Sequence, residues 1–518
     1  MRVLLAILIC ISFLGLGKCQ AEVRDVASDS SKLREAVSDM IETFGDRYPN
    51  GHDYLDRLRR IEGLLEQGKA YAKHQLETLR SEALLANPLL TELPGILAVK
   101  RKVKDLEKDN VFTDIDRQIG YSAGLGRDIG MPSNHECNAS LERDGYDNDI
   151  CLLRPVAGDV KVKTIYRPED GGYVGELDLH FDGKRVLFTE SDPVNWKLYE
   201  MNVDGSHIRQ VTQIPDDVDA MDGCYLPNGK IIFGSTASFQ SVPCWHGRKR
   251  VSNLYLTDAD GMNVRQLCFD QDHDFHPVVL DSGKVLYLRW DYTGISHIYL
   301  RQLMTMNPDG TRQRAIYGSN SWYPNSLFFP RQIPGTNRLV AILSGYHGPH
   351  RMGQFVIIDP RIGWQEESGI VQRITGRGEP IKPMIRDNLV GGDWPMFLHP
   401  YPLSDKYFLV SCRMSAKSSS GIYLADIFDN LILVHEEPGY ALLEPTPVMQ
   451  RKQPMVIPDQ VDLTRNDATV YISDVYAGQG LKSVPRGIIK QLRLVSYNFG
   501  YRGLAGSDKI GYLTLDSG

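Results

Sequence analysis

The chain has 518 residues, 42% hydrophobic and 24% charged, a balance too apolar for intrinsic disorder and a length too great for one small domain. Its 58 basic against 65 acidic residues give a formal net charge of −7, without the basic excess that marks a nucleic-acid binder. Gly 47, Pro 28 and Tyr 25 point to many turns between strands.

The first 21 residues read as an address. Arg2 precedes an apolar run from Val3 to Leu14, and a small residue, Ala21, follows Gly15-Leu16-Gly17-Lys18-Cys19-Gln20. That is the layout of a secretory signal, too short to span a bilayer. Lys18 fits poorly before a lipidated Cys19, so cleavage after Ala21 is favoured over a lipid anchor. No later segment is apolar enough to cross a membrane, and the mature chain is expected to be periplasmic or secreted. Of the eight cysteines, Cys137, Cys151, Cys224, Cys244, Cys268 and Cys412 remain after cleavage. Export permits disulfides, Cys137/Cys151 and Cys224/Cys244 being the nearest pairs, but spacing does not fix connectivity. No C-x-x-C-H occurs, so no covalent c-type haem is expected on this chain.

Residues 22–110 read as a helical region. Leu33, Val37, Met40, Ile41 and Phe44 recur at helical spacing, as do Tyr54, Leu58, Ile61 and Leu65, and Gln75 to Leu85 forms another amphipathic stretch ending at Asn87-Pro88. Residues 111–160, rich in Gly, Asp and Asn, read as a linker that wraps a neighbour.

From 161 the period falls to two. Leu177–Phe181, Arg185–Thr189, Leu198–Asn202 and Ile208–Thr212 are four short strands separated by turns such as Asp182-Gly183 and Asp204-Gly205. The pattern returns at Cys224–Phe233 with Leu254–Thr257 and Val264–Leu267, and again at His276–Tyr287 with Met304–Asn307. Its Asp-Gly turn recurs at Asp204, Asp260 and Asp309, intervals of 56 and 49 residues. Four-stranded units at roughly 40–50 residues make a β-propeller, which closes radially and leaves no long edge strand. Weaker copies at Leu339–Asp359, Tyr407–Asp429 and Ala468–Leu494 bring the expected blades to six, over 161–500. The fold class is therefore mainly β: a six-bladed propeller behind a small helical region. Residues 501–518 read as the start of a C-terminal region that the sequence breaks off.

The blade sentence, with its Leu-Tyr-x-Met-x-x-Asp-Gly-x-x-x-Arg-Gln-Leu second half, resembles the TolB-like, WD40-like propellers of exported bacterial proteins. His273-Asp274-Phe275-His276-Pro277, Ser344-Gly345-Tyr346-His347-Gly348, Phe397-Leu398-His399-Pro400-Tyr401-Pro402 and Glu436-Glu437-Pro438-Gly439-Tyr440 are similar to the middle domain of the hydrazine synthase alpha subunit and its relatives, over about 140–510. The resemblance implies fold and address rather than a reaction. In that family a cytochrome-like part lies downstream of the propeller, so haem would enter only with a downstream domain, and other exported subunits or domains are the implied partners.

His273 and His276, beside Asp272 and Asp274, form the sharpest polar cluster. Residues before each innermost strand line the mouth of a propeller's channel. Asp217 and Asp219 before blade two, Asn325 before blade four and His399 before blade five are read as equivalents. Converging on the axis, His273, His276, Asp219 and His399 would hold a divalent cation or an anionic group; the plainer reading is that they cap neighbouring blades through backbone hydrogen bonds. His347-Gly348-Pro349-His350 is a second H-x-x-H, read as a solvated loop. His435-Glu436-Glu437-Pro438 lacks the second histidine of a zinc-protease helix, and no G-x-S-x-G or phosphate loop occurs. Asn138-Ala139-Ser140 matches the glycosylation pattern. The expectation is a binding or assembly module, part of a longer redox-associated protein, with a metal-dependent enzyme at the channel mouth or a TolB-like scaffold as alternatives. For this chain alone the motifs point away from catalysis.

Overall fold

The computed structural model describes residues 28–105, 125–242, 249–291 and 301–493. The expected signal (1–21), the segment 501–518, Cys244 and Trp245 lie outside the described residues. Among the described residues, no helix is long and apolar enough to cross a membrane.

Helix α1 covers 28–44, followed by α2 (Gly51–Glu66), α3 (Tyr71–Leu85) and the single turn α4 (Pro88–Thr91). Tyr54, Leu58 and Ile61 fall on one face of α2, and Leu76, Leu79 and Ala83 on one face of α3, so each helix buries a stripe. Asn87 caps α4 by accepting from Leu89 N at 2.9 Å, with Pro88 set at the first helical position. The stripes pack outside the propeller against Tyr407, Leu409, Ile422 and Leu424. Asp39 ties α1 to that surface through Lys406 and through Tyr407 Oη at 2.9 Å.

The described residues form six four-stranded antiparallel sheets. Blade one holds β4 (Val174–Leu179), β5 (Arg185–Ser191), β6 (Trp196–Asn202) and β7 (Arg209–Gln210). Blade two holds β8 (Ala220–Tyr225), β9 (Ile231–Ser235), β10 (Asn253–Thr257) and β11 (Arg265–Gln266). Blade three runs from β12 (Asp274–Val279) through β13 (Val285–Trp290) and β14 (Arg301–Met306) to β15 (Arg314–Tyr317). In blade four, β16 (Ser326–Gln332) and β17 (Leu339–Ser344) precede β18 (Gln354–Ile358) and β19 (Ile370–Ile374). Blade five is built of β20 (Met396–Pro402), β21 (Tyr407–Arg413), β22 (Ser420–Asp426) and β23 (Leu431–His435). The repeat period has a packing cause. Gly205, Gly261 and Gly310 of the Asp-Gly turns have φ near +85° and lie against the preceding blade; a Cβ on Gly205 or Gly261 would overlap the carbonyl of Ile165 or Val211.

Blade six departs from the sequence reading. It pairs the late strand β24 (Tyr440–Pro447) with three strands from before the repeats: β1 (Ile96–Lys102), β2 (Asn148–Arg154) and β3 (Lys161–Tyr166). Val99 faces Leu443 in that closure. The propeller therefore begins inside the stretch read as helical and continues through the stretch read as a linker. Ala468–Leu494, read as a weak blade, holds no described strand. The segment after β24 instead runs across the turns of blades one to three, with Arg451 N donating to Phe181 O (2.9 Å), Gln453 to Pro227 O (2.6 Å) and Gln460 N to Asp309 Oδ2 (2.6 Å). Pairing strands from before and after the repeats closes the ring and leaves only the short outer edges of the blades.

Cys137, Cys151, Cys224, Cys268 and Cys412 are free and buried. Cys137 and Cys151 do not pair: Cys137 Sγ faces Arg250 O and Cys151 Sγ faces Ala98 O.

Candidate functional site

The innermost strands are β4, β8, β12, β16, β20 and β24, and each is broken at one matching place. Glu176, Asp222, His276, Phe329, His399 and Glu444 all have φ between +49° and +59°. Each sits where its strand slips in register against its neighbour. A β-bulge with a left-handed non-glycine residue disfavours the backbone by roughly 1 kcal/mol, and here one occurs in every blade. The result is a ring of six side chains around the axis.

The ring divides into two arcs. In the first, each acid accepts from the backbone of the next blade. Glu444 Oε2 takes Leu177 N at 2.7 Å, Glu176 Oε2 takes Asp222 N at 2.6 Å, and Asp222 Oδ2 takes His276 N at 2.6 Å. Asn138 Nδ2 and Thr189 Oγ1 also donate to Glu176, both at 2.6 Å. His276 Nδ1 lies 3.3 Å from Asp222 Oδ2, and Arg351 Nη1 meets its Nε2 at 2.8 Å, so both ring nitrogens are engaged.

Burial and the neighbouring Asp222 hold the Glu176 carboxyl well above the usual carboxylate range. Burial also pushes Asp222 up, but the His276 ring with its hydrogen bonds, and Arg351, win and hold it below. Two adjacent carboxyls with opposed shifts resemble an acid–base pair. Their oxygens, however, are spent on bulge amides.

The second arc is Phe329 and His399, with Arg331 and Tyr401 beside them. Phe329 wedges between the two histidines, its ring centroid 4.4 Å from His276 and 4.1 Å from His399. His399 Nδ1 is buried without a hydrogen-bond partner. Burial, then His276, Arg101, Arg331 and Arg351, hold this imidazole well below the usual histidine range, so it is neutral near pH 7. The Arg331 guanidinium lies 4.9 Å over the Tyr401 ring, and no carboxylate pairs with it among the described residues. Ring and flanking residues enclose a cavity of about 70 Å³, lined also by Asp178, Pro330, Pro445 and Thr446. That volume has room for roughly five waters.

One mouth is stopped by residues 125–143, the stretch read as a wrapping linker. Arg351 fastens it: its backbone N donates to Asn134 Oδ1 at 2.7 Å, its guanidinium donates to Glu136 O, and the same guanidinium holds His276. Asn138 reaches Glu176 from this plug and is itself buried, a poor glycan acceptor in the folded chain. His350, of the loop read as solvated, is buried with Nδ1 3.1 Å from Met131 O, while His347 pairs with Asp387 at 2.7 Å.

The four metal candidates fall in two places. His276 and His399 line the cavity, at matching positions of their blades. His273 and Asp219 lie three residues before the ring positions of blades three and two and do not line it. His273 stacks between Phe275 (4.6 Å) and Trp290 (5.9 Å) and accepts from Ser252 N at 3.1 Å; burial, then Arg351, pull it down to about 3. Asp219 is paired with Arg250 at 2.6 Å and Arg143 at 3.6 Å. The equivalence read between His399 and Asp219 is thus displaced: His399 corresponds to His276. Among the described residues no three His, Cys, Asp or Glu side chains are grouped to hold a metal ion.

The sequence reading missed Glu176, Asp222, Glu444, Arg331 and Arg351. A cue existed. His276, Phe329, His399 and Glu444 are each followed by proline, which an inner strand admits only at a bulge.

No family model matches this chain, and no curated protein is similar to it. Its structure is similar to one titled Kuenenia stuttgartiensis hydrazine synthase, with a TM-score of 0.51 and 16% identity, covering 71% of this chain and 49% of that chain. The match thus spans about half of the hydrazine synthase chain. TolB from Acinetobacter baumannii gives a TM-score of 0.41 at 11% identity over 73% of this chain and 72% of that one. At these identities the likeness is one of fold: a six-bladed propeller, as the sequence resemblance implies.

Proposed function

We propose that this chain is an exported binding module whose ligand site is the axial cavity of the propeller. One observation carries the reading. The cavity is stopped at one end by a plug tied into the ring, while its far wall holds Arg331 and the orphaned His399 Nδ1, polar groups that the protein itself leaves unanswered. Buried polar groups are normally satisfied, and an exception asks for a ligand or an ordered water. The six strained bulges support the same reading, because backbone strain concentrates where side chains must be aimed.

The signal-like residues 1–21 support the export of this module. The fold shared with part of a hydrazine synthase chain supports a role as one part of a larger redox-associated assembly, with other exported subunits or domains as partners. A metal-dependent activity at the same mouth is the second reading, favoured by His276 and His399 sharing the cavity.

The test is a thermal-shift panel of small anions, divalent cations and neutral polar compounds on the full chain. At least one class is expected to raise the melting temperature of the native protein and to lose that effect in His399→Phe. A panel in which no compound separates the two proteins overturns the reading. Periplasmic fractionation, with a mature N-terminus at Glu22, tests export; retention in the cytoplasm overturns it.

A further inference from the structure

We propose that the axial cavity binds a small oxyanion, of the size of a short carboxylate, held between the Arg331 guanidinium and the His399 imidazole. The inference rests on the cavity being a ligand site, as proposed above, and adds the charge and chemistry of its occupant.

The wall that faces the cavity without protein partners consists of a cation and a ring nitrogen. Arg331 has no carboxylate against it among the described residues; its guanidinium carbon lies over the Tyr401 ring, 4.9 Å from the centroid. A planar fork held by an aromatic face presents two parallel N–H groups, the arrangement that fits a carboxylate. His399 sits on the next blade and lines the same cavity. In the tautomer protonated on Nδ1, the neutral imidazole would present a donor there and no charge.

The balance of charge points the same way. After burial, the groups that weigh most on His399 are His276, Arg101, Arg331 and Arg351. On the opposite arc, Asp222 is ionised but matched by His276 and Arg351. Glu176 and Glu444 are both pushed upward by burial, and each has an oxygen tied to a backbone amide of the next blade. Asp178 faces Arg451 at 3.8 Å. Arg331 is left as the uncompensated charge on the cavity wall. A divalent cation would meet Arg331 head-on and would have to displace the bulge amides from the acids. The volume, about 70 Å³, admits formate, acetate or an inorganic oxyanion, or the acidic end of a longer molecule entering from the open mouth.

The experiment is isothermal titration of the full chain with sodium formate, sodium sulfate and zinc chloride at pH 7, repeated on Arg331→Met and His399→Gln. Arg331→Met keeps an unbranched stem over Tyr401, and a melting temperature near that of the native protein confirms that it folds. Formate or sulfate is expected to bind with one site per chain and to weaken about tenfold or more in Arg331→Met, with a smaller loss in His399→Gln. The tighter anion shows whether the site is built for a carboxylate or a tetrahedral oxyanion. Neither anion binding, or binding that both variants leave unchanged, overturns the inference. Zinc binding that His399→Gln removes, with no anion bound, overturns the anion inference and leaves the cavity as a ligand site. No probe sensitive to either variant overturns both.

Discussion

The two arcs of the axial ring share one backbone device and use it differently. On Glu444, Glu176 and Asp222 the bulge aims a carboxylate at the amide of the next blade, and the three acids staple four blades together. On Phe329 and His399 the same bulge aims a hydrophobic wedge and a ring nitrogen with no partner. A fold that repeats a strained conformation six times, and leaves one of the six, His399, without a partner, separates what holds the propeller closed from what is left for something else to hold. Stability should reside in the first arc and binding in the second.

The largest test of that division is acid. His273 at about 3, with His276 and His399 also lowered by burial, binds fewer protons folded than unfolded. Their stability is complete above the unfolded value of about 6.5 and is lost as pH falls, by about 1.4 kcal/mol per pH unit for each histidine. Glu176, raised, runs the other way: its contribution is complete below the ordinary carboxylate value and is lost as pH rises through its folded one. Urea melts between pH 7 and 5 should therefore show a slope shallower by about one proton in His399→Phe. An unchanged slope would mean that His399 titrates freely and that the second arc is open to water.

Next is Arg351→Met, which removes the guanidinium between plug and ring and leaves Glu136 O and His276 Nε2 without their donor, while the backbone bond to Asn134 is kept. A loss of roughly 3–5 kcal/mol is expected, as for breaking a buried charged contact, with proteolysis within 125–143 as the readout. Cleavage no faster than in the native protein would show that the plug is held elsewhere.

Within the first arc, Asp222→Asn should cost about 2 kcal/mol, because an ionised acceptor of His276 N and Nδ1 becomes half a donor. Glu176→Gln should stay within about 1 kcal/mol, since the carboxyl it replaces is held far above its usual range. Equal losses in the two variants would mean that the opposed shifts of this pair are absent. The smallest effect belongs to the second arc. His399→Phe removes a buried orphan and should leave stability unchanged or raise it by up to about 1 kcal/mol.

The propeller was legible because its period is enforced by contact: at Gly205 and Gly261 a side chain would overlap the preceding blade, so Asp-Gly marks the first three repeats. The closing blade was not. β1 is a short apolar run, Ile96-Leu97-Ala98-Val99, directly after helices, and its partner β24 lies some 340 residues away. Periodicity has no reach over that distance. The site was half legible. His276 and His399 stood out as histidines at the entry to inner strands, but their ring partners are Glu, Asp and Phe, so identity does not repeat while conformation does. His273 and Asp219 drew the eye as polar residues near strand starts, and the structure uses both to seat the plug. The fastening residue, Arg351, is one arginine among many in sequence and gains its role only where blade four meets 125–143.

The division of the ring is tested most directly by the side-chain nitrogens of its two histidines. In a long-range ¹H–¹⁵N spectrum of the full chain at pH 7, with His276→Asn and His399→Phe assigning the signals, His276 should show one fixed tautomer that formate does not move. His399 should be neutral and should shift on addition of formate. Movement of His276 with a silent His399, or formate leaving both unmoved, would contradict the account.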